Sequence, residues 1–210
     1  MKLSNVYFVN GTAYAGKSTL VKSLAEKHRG IACEENYHDA LLSTLNAAEF
    51  PNLCYTRDLA DWHDFVRRSP DAYEAWIDGV SKECETLELR ILESLTPSDR
   101  PIFVDTNISL ETLRNISDDR HVLIMLADPE ISVKRFFERP DKEKQFLYRL
   151  MLEEPAPTAA LENFRACLAR INSPERYNVF QHSGFPVLLR DESRSIAETV
   201  SLAEAIFGLQ

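Results

Sequence analysis

One segment limits the fold of this chain more than any other, residues 8–28, FVNGTAYAGKSTLVKSLAEKH. A short apolar run leads into a glycine-bounded loop, and the loop leads into the apolar spacing of an amphipathic helix. The eight residues Gly11–Ser18, called the glycine loop below, fit the pattern G-x-x-x-x-G-K-[ST]. Between a strand and a helix this pattern predicts a polyphosphate site, because inward-pointing N–H groups and the helix N-terminus attract anions.

The residues expected around the phosphates are Gly11, Thr12, Ala13, Tyr14, Ala15, Gly16, Lys17, Ser18 and Thr19. Within this set, Lys17 would reach the β- and γ-phosphates, and the Ser18 hydroxyl would ligate Mg²⁺. A second protein ligand is usually a carboxylate at the end of a neighbouring strand. Asp105, which ends the run PIFVD, is placed for that role.

Short apolar runs predict five buried parallel strands, at Asn5–Val9, Gly30–Glu35, Pro101–Asp105, His121–Leu126 and Phe185–Arg190. Helical patterns lie at about 17–28, 58–68, 71–95, 109–117, 129–139, 143–153, 157–171 and 193–207. Because strands alternate with helices, the predicted class is α/β, a five-stranded parallel sheet in a three-layer α/β/α arrangement. The chain is expected to form a single domain, 1–210, with a helical insertion at about 37–97.

Composition narrows the function classes. A formal net charge of -9 argues against a main affinity for nucleic acid or an anionic membrane surface. No run approaches the roughly 20 apolar residues that span a bilayer, so we expect a cytoplasmic protein without a membrane partner. The four cysteines lack C-x-x-C spacing, which favours buried thiols over a zinc site. A homodimer is compatible with the sequence.

Other nucleotide-binding classes fit the sequence poorly. Neither the D-x-x-G nor the [NT]-K-x-D motif of GTPases occurs in the chain. Thr106, and not a glutamate that could polarise water, follows Asp105, and no LSGGQ-type signature is present. These absences disfavour a signalling GTPase and an ATPase whose purpose is hydrolysis.

Three stretches, GTAYAGKS, PIFVDT and LADPEISVKRFFERPDKEK, resemble the P-loop small-molecule kinases, a group that includes adenylate, shikimate, gluconate and deoxynucleoside kinases. The chain also resembles bacterial kinase-like proteins of the AAA type. The resemblance covers most of the chain and implies a P-loop NTPase fold with a helical substrate lobe and a LID at about 136–157. It further implies ATP and Mg²⁺ as cofactors and a small-molecule hydroxyl as phosphoryl acceptor.

Two arginines lie in the stretch that resembles the LID. Arg135 and Arg139 are spaced i and i+4, which predicts that they share one helix face. The resemblance implies that they close over ATP and stabilise charge on the transferred phosphoryl group. The alternative is a solvated face paired with Glu138 or Asp141.

A hydroxyl acceptor benefits from a carboxylate that orients or deprotonates it. The resemblance places this acid at the end of the second strand, within GIACEENYHD. Glu35 is the expected base, and Glu34, Asp39 and Asp105 remain alternatives. The substrate-binding candidates are Glu34, Tyr37, Asp39, Arg57, Trp62 and Arg67. A core role for Trp62 is equally compatible with its helical spacing.

Two further functions stay open at this point, and a third, a polynucleotide end kinase, is disfavoured by the acidic balance of the chain. In one, the acceptor is a nucleoside monophosphate whose phosphate is clamped by Arg57 or Arg67, which would leave Glu35 without a base role. In the other, the chain is an ATP-binding regulator in which ATP orders the helical lobe for a protein partner. The leading hypothesis is an ATP- and Mg²⁺-dependent kinase of a small-molecule hydroxyl.

Overall fold

The structure, a computed structural model, describes residues 2–138 and 142–209. Its strands are β1 Val6–Gly11, β2 Ile31–Cys33, β3 Ile102–Asp105, β4 Val122–Leu126 and β5 Val187–Leu189. Its α-helices are α1 Lys17–Lys27, α2 Pro51–Asp58, α3 His63–Val66, α4 Pro70–Leu95, α5 Leu110–Ile116, α6 Pro129–Lys134, α7 Lys142–Glu153, α8 Pro157–Ile171, α9 Pro174–Gln181 and α10 Ile196–Phe207. Short 3₁₀ helices cover Tyr37–Thr44, Asp119–His121 and Phe136–Glu138.

The five strands form one all-parallel sheet in the order β2-β3-β1-β4-β5. On one side of β1, Val6 pairs with Ile102 of β3, and on the other side Phe8 pairs with Val122 of β4. Every residue of β3 and β4 is buried, as expected for strands covered on both faces. All five predicted strands are confirmed, although β2 ends at Cys33 and the two glutamates after it lie in a turn.

Helices cover both faces of the sheet. Side chains alternate along β1, so that Val9 packs with α1 and α10 while Phe8 packs with α4, α5 and α9. Leu24 of α1 and Leu92 of α4 are both fully buried in these two layers. The chain is therefore an α/β protein with a five-stranded parallel sheet, compatible with the three-layer arrangement.

The segment between β2 and β3 is helical, as predicted, but one helix in it was placed wrongly. The sequence predicts a helix over 58–68, whereas α2 ends at Asp58 and α3 begins at His63. The Asp61 carboxylate accepts the His63 N–H at 2.8 Å, a local bond that competes with helix continuation and restarts the chain in a new direction. Helix α4 begins where Ser69 accepts the Ala72 N–H ahead of Pro70.

The predicted helix over 129–139 is also too long, because α6 ends at Lys134. Phe136 and Phe137 turn inward and pack on Phe164 of α8 at centroid distances of 5.8 and 5.9 Å. This tertiary packing outweighs the local helical pattern. No helix in the part of the chain that the structure describes is both long and apolar enough to cross a membrane.

Candidate functional site

The glycine loop joins β1 to α1 through backbone conformations that favour glycine. Gly11 has φ 128°, and a Cβ there would lie 1.9 Å from the Met125 carbonyl oxygen, so no larger residue fits. The loop is tied to the end of β4, since the Thr12 N–H donates to the Met125 carbonyl at 3.0 Å and the Thr12 hydroxyl accepts the Ala127 N–H at 2.8 Å. These contacts fix the loop at the carboxyl edge of the sheet.

This edge is a place where α/β proteins bind ligands. Strand β1 lies between β3 and β4, and the connections that leave the carboxyl ends of β1 and β4 run in opposite directions, to the edge strands β2 and β5. Open parallel sheets bind ligands in the crevice outside such a switch point. Helix α1 begins there at Lys17, and its N-terminus supplies unpaired N–H groups and partial positive charge.

Lys17, Ser18 and Asp105 meet beside the loop, as the sequence predicts. The Ser18 hydroxyl donates to Asp105 Oδ2 at 2.7 Å, and Lys17 Nζ lies 3.8 Å from Asp105 Oδ1. Lys17 Nζ also donates to the Thr12 carbonyl at 3.2 Å. Burial raises the pKa of the Asp105 carboxyl, which is 4% exposed, while the Lys17 cation and the Ser18 hydroxyl oppose this shift.

The donors at this point suit Mg²⁺. Ser18 and Asp105 offer a hydroxyl and a carboxylate oxygen, the hard ligands that Mg²⁺ prefers. Among residues 2–138 and 142–209, no group of three or more His, Cys, Asp or Glu side chains could hold a metal by itself. A cation here would need phosphate and water oxygens as further ligands, which is the usual pattern for Mg²⁺ with a nucleotide.

Glu35 lies beside the loop, at the rim of a cavity of about 250 Å³ that Lys17 and Ser18 also line, called the smaller cavity. Its carboxylate is close enough to Asp105 to add to the raised pKa of that group. The Glu35 side chain is exposed, so that a ligand in the smaller cavity can contact it. The structure thus brings the expected base to the expected phosphate and metal residues.

The other candidates after β2 lie elsewhere. The described residues that line the smaller cavity do not include Glu34, Tyr37 or Asp39. Asp39 is exposed, 3.7 Å from Nε2 of the buried His38. The Tyr37 hydroxyl is buried with no hydrogen-bond partner in the described chain, and burial raises its pKa. The structure therefore places neither side chain at the smaller cavity among the described residues.

A larger cavity of about 770 Å³ adjoins the same loop. Its apolar surface comes from Leu20, Met125, Leu189 and Ile196, and its polar rim comes from Arg135, Arg190, Asp191, Glu192 and Arg194. Tyr14, Gly16 and Thr19 line both cavities. The two cavities therefore meet at the glycine loop, where the phosphates are expected.

Arg135 lies at the rim of the larger cavity, but not in the predicted arrangement. The prediction that Arg135 and Arg139 share one helix face is wrong, because α6 ends at Lys134, one residue before Arg135. Arg139 lies outside the described residues. Arg135 Nη1 donates to Glu192 at 3.0 Å, and its Nε lies 4.0 Å from Glu138. The guanidinium is thus held at the cavity by ion pairs and not by the helix.

The three candidates from the helical lobe have structural partners. Arg57 donates to the Leu42 and Leu45 carbonyls at 2.9 and 2.8 Å and pairs with the Asp58 carboxylate. Arg67 Nε donates to Glu154 at 2.9 Å.

Trp62 packs on Phe65 and Phe146 at centroid distances of 5.5 and 5.6 Å, which is the core role. The described residues that line the two cavities do not include Arg57, Trp62 or Arg67.

Sequence reasoning missed Glu88. This fully buried carboxylate accepts the Thr106 hydroxyl at 2.6 Å and two Asn107 donors, the backbone N–H and Nδ2, each at 3.1 Å. It thereby holds the segment that follows Asp105 against α4. The sequence does indicate that Glu88 is buried, because it lies on the apolar stripe of α4, four residues from both Cys84 and Leu92.

Comparison with protein-family models gives no match for this chain, and comparison with curated proteins gives none either. The function must therefore be argued from the site itself.

Proposed function

We propose that this protein is an ATP- and Mg²⁺-dependent phosphotransferase with a P-loop NTPase fold, which transfers the γ-phosphoryl group to a hydroxyl of a small molecule. One observation carries the proposal, the Ser18–Asp105 hydrogen bond of 2.7 Å beside Lys17 at the N-terminus of α1. A lysine, a hydroxyl and a buried carboxylate around a glycine-bounded loop supply the parts that hold a Mg²⁺-nucleotide.

Each group has a defined task in this mechanism. The loop N–H groups and Lys17 bind the phosphates, and Ser18 and Asp105 hold Mg²⁺. The bound cation would neutralise charge on the β- and γ-phosphate oxygens. Glu35 orients the acceptor hydroxyl and accepts its proton, and Arg135 closes the nucleotide side.

The larger cavity supports the nucleotide part of this proposal. Apolar side chains such as Met125 and Ile196 offer a surface for a nucleobase, and the cavity begins at Gly16 and Thr19 of the loop region. The smaller cavity, with Glu35, lies on the acceptor side of the same loop. A donor in the larger cavity and an acceptor in the smaller one would therefore meet at the glycine loop.

Transfer to a hydroxyl is better supported than transfer to a nucleoside monophosphate. The second reaction needs cations that clamp the acceptor phosphate. Arg57 and Arg67, the two arginines predicted for that task, are bound to Asp58 and Glu154 away from the cavities. Glu35, in contrast, lines the smaller cavity, where a carboxylate serves a hydroxyl and repels a phosphate.

The test is transfer of label from γ-labelled ATP, with Mg²⁺, to pooled metabolites. Lys17→Ala should abolish both ATP binding and transfer. Lys22→Ala is the matched control, because Lys22 is exposed on the same helix and contacts no part of the cavities. Absence of ATP binding to the wild type would refute the proposal.

The base assignment has a separate test with the acceptor found in this way. Glu35→Gln should lower kcat by about 10²-fold or more while ATP binding is kept. Glu34→Gln is the matched control, since Glu34 is adjacent and exposed but does not line the smaller cavity. Full turnover of Glu35→Gln would remove Glu35 as the base. ATP binding without transfer to any pool would favour the regulator.

A further inference from the structure

The smaller cavity has a wall whose chemistry narrows the acceptor. Besides the loop residues, its lining includes Tyr73 of α4, Phe136, and Leu168 and Ile171 of α8. Two aromatic rings and two aliphatic side chains favour a flat apolar group over an extended polar one. At about 250 Å³ the cavity lies below the roughly 300 to 1,000 Å³ of sites for drug-sized ligands.

The wall is held firmly in place. The rings of Tyr73 and Phe136 both pack on Phe164, at centroid distances of 5.6 and 5.8 Å. Tyr73 also meets Phe65 edge to face at 5.8 Å. Because these contacts fix both rings before any ligand arrives, little ordering is needed when a planar group binds.

Two neutral polar groups on this wall lack a full set of partners. Tyr73 is 6% exposed, and its hydroxyl has no hydrogen-bond partner among the described residues. Asn172 Nδ2 donates to the Leu168 carbonyl at 2.8 Å, while its Oδ1 accepts nothing from the described chain. Neutral groups of this kind suit uncharged donors and acceptors on a ligand, and an ion would be desolvated against the apolar side chains.

The cavity carries charge beside Phe136 of the wall as well as at the loop. Lys17 and Glu35 lie there, and Lys144 Nζ lies over the rings of Tyr14 and Phe136, 5.9 and 5.3 Å from their centroids. A hydroxyl group would meet Glu35 and the phosphate site, while the rest of the molecule would rest on the neutral wall. The charged groups thus lie at the loop and beside Phe136, while Tyr73, Leu168 and Ile171 form an uncharged part of the wall.

We propose that the smaller cavity is the acceptor site and takes an uncharged alcohol that bears a planar ring, the chemistry shared by nucleosides and aromatic alcohols. This inference rests on the proposed function and adds the substrate class. The ring would lie against Tyr73, Phe136 and Ile171, and the reacting hydroxyl would point to Glu35.

Saturation-transfer NMR tests the class by direct binding. The whole protein is saturated with Mg²⁺ and ADP and offered uridine, thymidine and 2-phenylethanol, with uridine 5′-monophosphate and glycerol as comparators. We expect at least one of the first three to bind more tightly than both comparators. Binding confined to uridine and thymidine would identify nucleosides as the substrate class. Binding of 2-phenylethanol would identify aromatic alcohols.

Tyr73→Phe keeps the packed ring and removes only the hydroxyl. It should weaken binding of the preferred alcohol by about threefold to tenfold, the value of one hydrogen bond, and leave ADP binding unchanged. Tyr177→Phe is the matched control, because Tyr177 is half-buried on α9 and does not line the smaller cavity.

The possible failures can be told apart. Tighter binding of the monophosphate or of glycerol, or no binding of any ring-bearing alcohol while ADP is bound, would overturn the substrate class and leave the kinase proposal standing. Absence of ADP binding would refute the proposed function, and the substrate class would fall with it.

Discussion

The buried Glu88 carboxylate offers the sharpest test of how the site is held. It is fully buried on α4 and joins that helix to the residues directly after Asp105. Glu88→Ala removes the acceptor for the Thr106 hydroxyl and for two donors of Asn107. We expect a large loss of stability, because buried donors without partners are costly.

The magnitude follows from the exposure of each donor. Thr106 is 2% exposed, so its hydroxyl cannot turn to water, whereas Asn107 is exposed and can be partly rehydrated. One stranded hydroxyl costs about 1–3 kcal/mol, and the cavity left by a long side chain adds a similar amount. The free energy of unfolding should therefore fall by about 3–5 kcal/mol in Glu88→Ala.

Urea unfolding followed by tryptophan fluorescence measures this loss. Glu88→Gln keeps an acceptor oxygen and the side-chain volume, and it should lose less than Glu88→Ala. Glu93→Ala is the matched control, since Glu93 is exposed on the same helix and should change stability by less than about 0.5 kcal/mol. A loss below about 1 kcal/mol in Glu88→Ala would refute the reasoning.

Three further predictions concern the loop, the proposed metal ligand and a helix contact. Gly11→Ala should lower the unfolding free energy by more than about 3 kcal/mol in urea titrations, because its Cβ would clash with a carbonyl oxygen at 1.9 Å. The raised pKa of Asp105 means that the folded protein favours the protonated carboxyl, so the charged carboxylate destabilises the fold at pH 7 and this destabilisation disappears in acid. Asp105→Asn should therefore raise the melting temperature of the free protein. The same substitution should abolish the stabilisation of the protein by Mg²⁺-ATP. Hydrogen bonds to Lys27 and His28 lower the pKa of Glu204, so its carboxylate stabilises the fold fully above the ordinary pKa of 4.5, and this stabilisation is lost as the pH falls through the pKa of the folded protein. Glu204→Gln should lower the unfolding free energy by less than about 1 kcal/mol at pH 7. Denaturation curves recorded over a series of pH values measure both effects.

The sheet could be predicted from the sequence because its signals are local. A run such as Val122–Leu126 is apolar at every position, and only a strand covered on both faces buries it completely. The strand order was not predictable in the same way, because pairing depends on contacts between residues far apart in the chain. Helix α9 was missed although Ser173 and Pro174 supply a clear start signal.

Within the candidate site, local signals predicted which residues lie together, whereas contacts between distant parts of the chain were not predicted. The loop pattern gave Lys17 and Ser18 directly, and the end of a strand gave Asp105. The predicted helical alignment of the arginines was wrong because α6 ends at Lys134, after which two phenylalanines pack on α8. Arg57 and Arg67 were chosen for their charge, but their partners come from other parts of the fold, and sequence spacing does not show them.

Tyr14 explains how one loop can serve both cavities. Its φ of 63° is unusual for a residue with a large side chain, and such strain persists only where surrounding contacts fix it. Those contacts are present, because the Tyr14 hydroxyl donates to the Arg135 carbonyl at 3.0 Å and its own carbonyl accepts from Arg190. Glycine would relieve the strain but lose the hydroxyl contact. Tyr14 therefore joins the glycine loop to Arg135 and Arg190, and it is itself part of the lining of both cavities.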